Sequence, residues 1–150
     1  MAKKYEKSSG GVVYRIKNGQ VQILLLKWLN SRWHEDYVIP KGHIEEWEIA
    51  SEAAIREIEE ETWLDNKDLR IIKFLTKLNY TFTAGYLENN PVIDKDVYLF
   101  LVKYCWEKAP VVQEEERFID YKWVAPDEIK DMDIRFNLHK IVKKNLSYFV

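Results

Sequence analysis

The residues whose types and spacing could do chemistry lie in one segment, residues 42–64, which reads GHIEEWEIASEAAIREIEEETWL. Its glutamates Glu57, Glu60 and Glu61 are spaced i, i+3 and i+4, so on a helix their carboxylates project from one face as neighbours. Like charges at this spacing destabilise a helix by about 0.2–0.5 kcal/mol per pair. Hard oxygen ligands suit a hard divalent cation, and Mg²⁺ typically binds carboxylates together with substrate phosphates. The segment therefore predicts a metal site for phosphate chemistry.

A glutamate-rich stretch can also be a solvated helix face, and the run at 58–61 taken alone is more often that. The wider spacing changes this balance, because Gly42, Glu48 and Arg56 stand at fixed intervals from the three glutamates. With ordinary residue usage of about 5–7% per type, six such residues coincide on the order of once in ten million starting positions. The abundance of glutamate in this chain raises that figure roughly tenfold, and coincidence remains improbable.

The segment resembles the Nudix box, the signature G-x5-E-x7-R-E-U-x-E-E-x-G-U in which U is aliphatic. The chain departs from this pattern at the late glycine, which is Trp63. Members of the family often carry another glycine just before the first box glutamate, and that position is Trp47 here. The residues in register are Gly42, Glu48, Arg56, Glu57, Ile58, Glu60, Glu61 and Leu64.

The resemblance implies an α/β fold, a Nudix-type α/β/α sandwich with a mixed β-sheet, and a hydrolase that acts on a phosphoanhydride. It implies Mg²⁺ as the cofactor, with Mn²⁺ as an alternative ion. The expected metal ligands are the carboxylates of Glu57, Glu60 and Glu61 and the backbone carbonyl of Gly42. Arg56 is expected to orient a box glutamate through a charge-assisted hydrogen bond, so Arg56, Glu57 and Glu60 are the catalytic candidates of the box.

A second acidic run, residues 113–117 (QEEER), supplies candidates for the general base. Nudix proteins differ in whether this base is a box glutamate or lies on a downstream loop. The run precedes a predicted strand, which is similar to the loop-then-strand of dinucleoside polyphosphate hydrolases. Because three glutamates are consecutive, Glu116 and Glu115 both remain candidates. Without the resemblance, such a run is more often solvated than catalytic.

Substrate choice is predicted from residues outside the box core. Pro40-Lys41-Gly42-His43 and a tyrosine sixteen residues beyond the box resemble the diadenosine tetraphosphate (Ap4A) hydrolase branch. An aromatic face can stack a base for about 1–3 kcal/mol, and lysines can meet phosphates. The resemblance thus implies Ap4A, cleaved to ATP and AMP, as the substrate. The candidate substrate-binding residues are Tyr37, Lys41, His43, Lys77, Tyr80 and Lys95, and each tyrosine is equally well explained by strand packing.

Three alternatives stay open from sequence. Another pyrophosphohydrolase of the family would act on a nucleoside triphosphate, an RNA 5′ end or a diphosphoinositol phosphate. A non-catalytic Nudix-fold module would bind nucleotides or a protein without turnover, and the intact set of ligands argues against it. A metal-independent structural protein is the remotest alternative.

Composition predicts one compact enzyme domain spanning residues 1–150. The chain has 47% hydrophobic residues, 32% charged residues and a net charge of −2, which favours neither disorder nor a stable nucleic-acid partner. Its single cysteine, Cys105, excludes an internal disulfide and is expected to be a small buried hydrophobe on a strand. The N-terminus has no apolar stretch and no run reaches the length of a membrane span, so a cytoplasmic protein is expected. The oligomeric state is left open.

The elements that position these residues are predicted from apolar patterns. Asn-Gly at 18–19, between apolar runs at 11–16 and 21–28, is a strong hairpin signal. The second run is almost continuously apolar, which predicts burial on both faces and helices covering the sheet. Pro40 is expected to end regular structure before the box. Further strands are predicted at 37–39, 69–82, 96–106 and 121–125, loops at 29–36 (with His34 at the surface) and 83–95, and a second helix at 134–149 after Pro126.

The box helix is predicted to run from Glu48 to Thr62. A glycine just after a helix commonly closes the last turn in the left-handed conformation, and a bulky residue there costs roughly 1–2 kcal/mol. The alternative is that the helix continues a few residues past Trp63 and ends at Asn66, with the ligands unmoved. The stripe expected to pack on the sheet is Ala50, Ala54 and Ile58.

Overall fold

A seven-stranded mixed β-sheet runs through the part of the chain that a computed structural model describes, residues 3–85, 87–132 and 134–150. Two α-helices pack against this sheet, and short 3-10 turns join several of the elements. The strands are β1 (Lys3–Lys17), β2 (Gln20–Leu29), β3 (Glu35–Val38), β4 (Lys41–His43), β5 (Leu69–Thr83), β6 (Val92–Tyr104) and β7 (Phe118–Val124); the helices are α1 (Ala50–Thr62) and α2 (Leu138–Lys144).

Strand β1 lies inside the sheet, with β6 along one of its edges and β4 and then β2 along the other. Most of its length pairs in parallel with β6, and residues 8–10 also pair antiparallel with β4 on the other side. Its last residues pair antiparallel with β2, which in turn pairs with β3 and β7. Strand β5 pairs antiparallel with β6. The predicted mixed sheet is therefore confirmed.

The two faces of the sheet carry separate apolar cores. Successive residues of a strand point to opposite faces, so Val12 belongs to one core and Val13 to the other. Helix α1 adds Ile58 to the core of Val13, and α2 adds Leu138 to the core of Val12. Each such buried aliphatic side chain contributes about 1.5–3 kcal/mol. A sheet with a helix on each face is the α/β/α sandwich that was expected.

The first two strands agree with the sequence prediction. Strand β1 ends at Lys17 and β2 begins at Gln20, and the linking residues Asn18 and Gly19 both have positive φ (52° and 76°). A two-residue turn of this kind matches the twist of a hairpin. Residues 23–26 of β2 are completely buried, which confirms that this strand is covered on both faces.

Helix α1 begins two residues later than predicted. Its first turn is closed by the Glu52 side chain, which accepts a hydrogen bond of 3.0 Å from the Ile49 N–H. Glu48 consequently lies in the preceding loop rather than on the helix. The predicted packing stripe is confirmed: Ala54 and Ile58 are fully buried, and Ala50 is partly buried against the same core.

The alternative in which the box helix continues to Asn66 is wrong. The helix ends at Thr62, and Trp63 itself takes the left-handed conformation (φ 58°, ψ 17°) that the consensus glycine would adopt. The reason lies on either side of it, because Thr62 and Leu64 are both fully buried and the chain must turn between them. The Trp63 N–H still donates to the Glu59 carbonyl at 2.8 Å, while its side chain is 57% exposed.

The second predicted helix is shorter than expected. Residues 134–149 were predicted as one helix, whereas α2 covers Leu138–Lys144 and is flanked by 3-10 turns. Phe136 and Asn137 both have left-handed backbone angles (φ 72° and 51°), which interrupts the helical pattern just before α2. Pro126 opens a 3-10 turn, Pro126–Asp131, rather than an α-helix.

Several strand boundaries also differ from the prediction. Pro40 does not end regular structure, because β4 follows at once and pairs with β1. Strand β1 begins at Lys3, well before the predicted residue 11, and β6 begins at Val92 inside the predicted loop. In each case the extra strand residues pair with a strand distant in sequence, a contact that local apolar patterning does not reveal.

The predictions for the lone cysteine and for His34 have opposite outcomes. Cys105 is exposed, so the expectation of a buried strand residue is wrong. It follows the last residue of β6, Tyr104, which is buried, and the next residue points the other way into solvent. His34 is exposed in the loop before β3, as predicted. Within the described residues, no helix is long and apolar enough to cross a membrane.

Candidate active site

A cleft of about 550 Å³ opens where α1 faces β4 and the end of β3. Strands β2 and β7 close it from one side, and the segment 134–136 closes it from the other. Box residues contribute most of its polar lining, so the structure brings the predicted ligands to one cavity. The box residues that line the cleft are Gly42, His43, Glu45, Arg56, Glu57, Glu60 and Glu61.

Arg56 connects both ends of the box through its guanidinium group. Its Nε and Nη2 donate to the two carboxylate oxygens of Glu48 at 3.0 and 2.6 Å. Nη2 also donates to the His43 backbone carbonyl at 2.8 Å. On the other edge, Nη1 donates to Glu57 at 2.9 Å and to Glu60 at 3.2 Å. Arg56 therefore orients two of the three predicted ligands, as the resemblance implied.

Glu48 is the buried partner that holds Arg56 in place. Its side chain is only 1% exposed, and it also accepts a hydrogen bond of 2.8 Å from the Glu45 N–H. The hydrogen bonds from Arg56 hold the pKa of the Glu48 carboxyl below its ordinary value. A carboxylate that accepts two hydrogen bonds from one guanidinium fixes the plane of that guanidinium. Glu48 therefore influences the cleft through Arg56.

Glu61 is the most deeply placed carboxylate of the cleft. Its Oε2 accepts a hydrogen bond of 3.1 Å from the backbone N–H of Lys41, the first residue of β4. Burial raises the pKa of Glu61 to about 9, and the charges of Glu57 and Glu116 add to this effect. The carboxylates of Glu57, Glu61 and Glu116 therefore crowd one region of the cleft. The repulsion between Glu57 and Glu61 is the one predicted from their spacing on the helix.

Gly42 lies directly against the carboxyl group of Glu57. A Cβ atom built on this glycine would overlap the Glu57 carboxylate, so a side chain here would displace that carboxylate. Pairing of Ser9 with Gly42 fixes β4 at this distance. Burial raises the pKa of Glu57 above its ordinary value, and Arg56 partly opposes this rise. The glycine thus lets backbone and carboxylate oxygens approach one another.

The donor set fits a hard divalent cation, although the side chains are not arranged around one. Among the described residues, no three His, Cys, Asp or Glu side chains are grouped closely enough to hold an ion as they stand. Glu57 and Glu60 instead turn toward Arg56. A binding ion would draw these carboxylates from Arg56 and offset the mutual repulsion that raises the pKa of Glu61. Oxygen ligands from Gly42, Glu57, Glu60 and Glu61 are therefore available to Mg²⁺.

The acidic run after β6 contributes one glutamate to the cleft. Glu116 lines the cavity, and its charge raises the pKa values of Glu57 and Glu61. Its neighbour Glu115 is exposed and does not line the cavity. The short 3-10 turn Glu114–Glu116 ends in a left-handed residue, Arg117, which redirects the chain into β7.

Positive charges gather beside these carboxylates: Lys41 and Arg135 line the cleft, and Lys95, outside its lining, acts electrostatically on Lys41. We call Glu57, Glu60 and Glu61 with Arg56 the carboxylate wall, and Lys41, Lys95 and Arg135 the cation wall. Burial lowers the pKa of Lys41 to about 8, and the charges of Lys95 and Arg135 lower it further. Burial also lowers the pKa of Lys95.

Aromatic rings lie beside the cation wall. The Phe136 ring is 5.8 Å from the Lys41 ammonium and 6.1 Å from the Tyr80 ring. Arg135 and Phe136 both line the cleft and escaped the sequence analysis. Both residues fall in the stretch 134–149 that was predicted as one helix. Asn137 is the only local sequence signal for the left-handed conformation of Phe136 and Asn137.

The remaining predicted substrate residues lie in different places. His43 is exposed at the edge of the cleft, whereas Tyr37 packs against the core of α2, with the Lys27 ammonium 5.9 Å from its ring. Lys95 pairs with Tyr80 across β5 and β6, next to the cation wall. Lys77 is exposed and alternates with the core-packed Leu78, so it faces away from Tyr80 on the other side of the sheet. Of the predicted substrate residues, Lys41 and His43 line the cleft, and Tyr80 and Lys95 lie next to its lining. Tyr37 and Lys77 do not line it.

Comparison with known proteins agrees with this fold. The sequence profile of the family described as "NUDIX domain" matches residues 6–144. A curated relative, bis(5′-nucleosyl)-tetraphosphatase [asymmetrical] of Sus scrofa, is 28% identical over 130 residues. That match covers 86% of this chain and 65% of the relative, so the chain spans just under two thirds of its length.

Solved structures share the fold at low sequence identity. A C. elegans Ap4A hydrolase binary complex is 22% identical with a TM-score of 0.73, covering 95% of this chain and 96% of that one. The E. coli dihydroneopterin triphosphate pyrophosphohydrolase is 19% identical with a TM-score of 0.70, covering 94% of this chain and 96% of that one. At such identities the likeness concerns the fold, and the α/β sandwich is shared.

Proposed function

The chain belongs to the Nudix family, and from that premise we propose that it is a Mg²⁺-dependent hydrolase of dinucleoside polyphosphates, with Ap4A cleaved to ATP and AMP. The observation that carries this proposal is the placement of a crowded carboxylate wall and a cation wall in one cleft. The name of the pig relative, an asymmetrical tetraphosphatase, supports the choice of substrate.

The charges of the cleft suit attack on a phosphoanhydride. When bound, Mg²⁺ would neutralise phosphate oxygens and lower the pKa of the attacking water toward neutrality. Gly42, Glu57, Glu60 and Glu61 would hold the ion, and the Lys41 backbone N–H keeps Glu61 in place. Arg56 aligns Glu57 and Glu60, and it is itself held by Glu48. The box therefore works as a connected network, in which Glu57 and Glu60 would exchange contacts with Arg56 for contacts with the ion.

Glu116 is the general base that the geometry favours. It lines the cleft close enough to the carboxylate wall to influence the pKa values of Glu57 and Glu61, whereas Glu115 does not reach the cavity. A general base must come within hydrogen-bond reach of the water it deprotonates, directly or through one further water. The 3-10 turn before β7 brings Glu116 into the lining of the same cavity as Glu57 and Glu61.

The cation wall accounts for a polyphosphate rather than a single phosphate. A long phosphate chain carries charge beyond the part that the metal neutralises, and Lys41 and Lys95 offer positive charge for it. The aromatic ring of Tyr80 lies beside these lysines and could stack a base. His43 would contribute at the edge of the cleft.

The decisive experiment is turnover of Ap4A with Mg²⁺, with products resolved by chromatography, beside ATP and ADP-ribose as competing substrates. We expect ATP and AMP from Ap4A, and no product with Glu61→Gln. Glu59→Gln is the matched control, because Glu59 lies on the same helix outside the cleft and its amide can still accept the Asn66 N–H. Preferred cleavage of ATP or ADP-ribose would overturn the substrate but keep the mechanism. Metal binding without any turnover would replace the hydrolase with a nucleotide-binding module.

A further inference from the structure

We propose that a second cavity, separate from the active-site cleft, binds a nucleoside phosphate such as ADP. Basic side chains bind the phosphates of this ligand, and the indole of Trp106 stacks on its base. The cavity, which we call the β1–β6 groove, is lined by residues 15–18 at the end of β1 and residues 103–107 at the end of β6. The inference goes beyond the proposed function, because the groove and the cleft have no lining residue in common.

The groove forms because β1 extends farther than the strand beside it. The parallel pairing of β6 with β1 ends at Lys103, whereas β1 continues to Lys17 beside β2. After Tyr104 the chain turns away from β1, and the Cys105 N–H donates to the Asp68 carbonyl at 2.8 Å. This arrangement leaves a cavity of about 810 Å³. Its volume falls within the range of about 300–1,000 Å³ that is usual for small-molecule sites.

The groove lies far from the cleft along the same strand. Gly10 of β1 pairs with Lys41, which lines the cleft. Arg15 follows Gly10 by five residues, and a strand rises about 3.3 Å per residue, so the two sites are separated by roughly 17 Å along β1. The groove is therefore a separate site and not an extension of the cleft.

The lining of the β1–β6 groove is positively charged, although the chain as a whole has a net charge of −2. Among the described lining residues, Arg15, Lys17 and Lys103 are cations and Glu107 is the one carboxylate. Within residues 3–85, 87–132 and 134–150, none of the three cations forms an ion pair. Cations that line a cavity without such partners attract an anionic ligand.

Arg15 is held in place by contacts within the protein. Its guanidinium carbon lies 4.1 Å from the centre of the Trp123 ring, and its Nε donates to the Gln22 side chain at 2.8 Å. Burial lowers the pKa of Arg15, but arginine remains charged at neutral pH. Among the described residues, Nε makes its only side-chain hydrogen bond, so both Nη groups can donate to phosphate oxygens.

Trp106 supplies an aromatic face for the base. Its side chain lines the groove and is 61% exposed. Trp123 differs, because its ring already stacks on Tyr104 at an interplanar angle of 11° and also contacts Arg15. In the part of the chain that the structure describes, Trp106 has no such ring or cation partner. An aromatic face stacks on any base, and a base joined to phosphates uses both features of the groove.

The first test is an NMR titration of the isotope-labelled protein with ADP, inorganic pyrophosphate or adenosine, in the presence of a metal chelator. We expect ADP to shift the backbone amides of residues 15–18 and 103–107. ADP should bind about tenfold more tightly than pyrophosphate or adenosine, because each of these lacks one of the two contacts. Shifts confined to residues of the cleft, or no shift at all, would overturn the proposal.

The basic residues are tested by Arg15→Gln, which should weaken binding of both ADP and pyrophosphate about tenfold. Because Arg15 also packs on Trp123, Lys17→Gln is measured beside it; Lys17 is exposed, and its loss should cost about fivefold with an unchanged melting temperature. Lys77→Gln is the matched control, since Lys77 is an exposed cation on β5 outside the groove. Wild-type affinity in Lys17→Gln would contradict the phosphate contact.

Trp106→Leu tests the stacking contact. It should weaken ADP about tenfold and leave pyrophosphate unchanged, since only ADP carries a base. Trp33→Leu is the control, because Trp33 is similarly exposed (72%) in the loop before β3. If ADP retains its full advantage over pyrophosphate in Trp106→Leu, the nucleoside part of the proposal fails.

A single-stranded RNA oligonucleotide is the last probe, because phosphates and bases also occur in a nucleic-acid chain. Binding of the oligonucleotide in the groove more than tenfold tighter than ADP would replace the nucleotide as its occupant. None of these experiments measures turnover, so they are independent of the proposed function. ADP shifts in the groove without hydrolysis of Ap4A would leave this inference standing alone, and hydrolysis without such shifts would leave only the proposed function.

Discussion

The two walls of the cleft are charged oppositely and are built in opposite ways. The carboxylate wall comes from about one and a half turns of one helix. Arg56, itself paired with Glu48, contacts Glu57 and Glu60, and the Lys41 N–H contacts Glu61. The cation wall is assembled from β4, β6 and the segment before α2, and Lys41, Lys95 and Arg135 form no ion pair among the described residues. The carboxylate wall is pre-organised by contacts within the protein, whereas the cations of the other wall have no such ionic contacts among the described residues.

This difference separates two contributions to activity. Groups that are fixed before the substrate arrives can act on the transition state, so changes in the carboxylate wall should lower kcat. Groups that gain their partner only when the substrate binds contribute to uniform binding, so changes in the cation wall should raise KM. A carboxylate-wall variant that changes mainly KM, or a cation-wall variant that changes mainly kcat, would contradict this division.

The largest effect is expected from Glu61→Gln. The change removes a buried ligand and leaves the Lys41 N–H paired with an amide oxygen, so the fold should persist while kcat falls about 100- to 1000-fold. Metal binding gives a second measurement: Mg²⁺ at one hundred times its Kd should stabilise the wild type by about 2.7 kcal/mol, and the variant by little. Removal of Mg²⁺ with a chelator should abolish wild-type turnover. A variant with normal kcat and raised KM would show that Glu61 contributes to substrate binding, as expected of the cation wall, and would contradict the comparison.

Glu48→Gln tests whether the carboxylate wall is held from beneath. The Glu48 side chain is 1% exposed and that of Arg56 is 22% exposed, so losing this charged contact should cost about 1.5–3 kcal/mol of unfolding free energy at neutral pH. We also expect kcat to fall, because Arg56 would no longer be fixed against Glu57 and Glu60. Thermal melts and initial rates of the same preparation measure both effects.

The pH dependence of this contribution has a definite sign. The pKa of Glu48 is depressed below its ordinary value of 4.5 in the folded state, so its stabilisation is fully present above that value. It is lost as the pH falls through the lower folded pKa. The difference in stability between wild type and Glu48→Gln should therefore be constant above about pH 5 and shrink in more acidic solution. A difference that grows on acidification would contradict the role assigned to this ion pair.

The same contrast explains what the sequence could predict. The carboxylate wall lies within 23 consecutive residues, so its spacing on a helix could be read directly, and the hairpin and buried β2 followed from equally local patterns. The cation wall depends on β4 pairing with β1 and on the turn at Phe136, which no local pattern signals. Lys77 shows the limit clearly: its residue type suited a phosphate, but the alternation of β5 turns it to the other face.

Lys95→Gln measures the cation wall by itself. Its ammonium is partly buried beside Lys41 and Arg135, and a lost phosphate contact should raise KM for Ap4A about tenfold with kcat nearly unchanged. Added salt should reduce the difference between wild type and variant, because the interaction is electrostatic. Lys77→Gln, on the opposite face, should change neither parameter. A fall in kcat equal to the rise in KM would show that both walls act on the transition state.

The smallest effect is expected at Trp63, where the carboxylate wall ends. Its left-handed backbone costs roughly 1–2 kcal/mol for a bulky residue, part of which a glycine returns as greater entropy of the unfolded chain. Trp63→Gly should therefore raise the free energy of unfolding by about 1 kcal/mol, measured by urea titration. Trp47→Gly is the matched control, because Trp47 is also exposed (75%, against 57% for Trp63) but lies outside the left-handed residues, and it should give no gain. Because the buried neighbours Thr62 and Leu64 already impose the turn, kcat of Trp63→Gly should equal that of the wild type. A gain in kcat would mean that the tryptophan strains the glutamates as well as its own backbone.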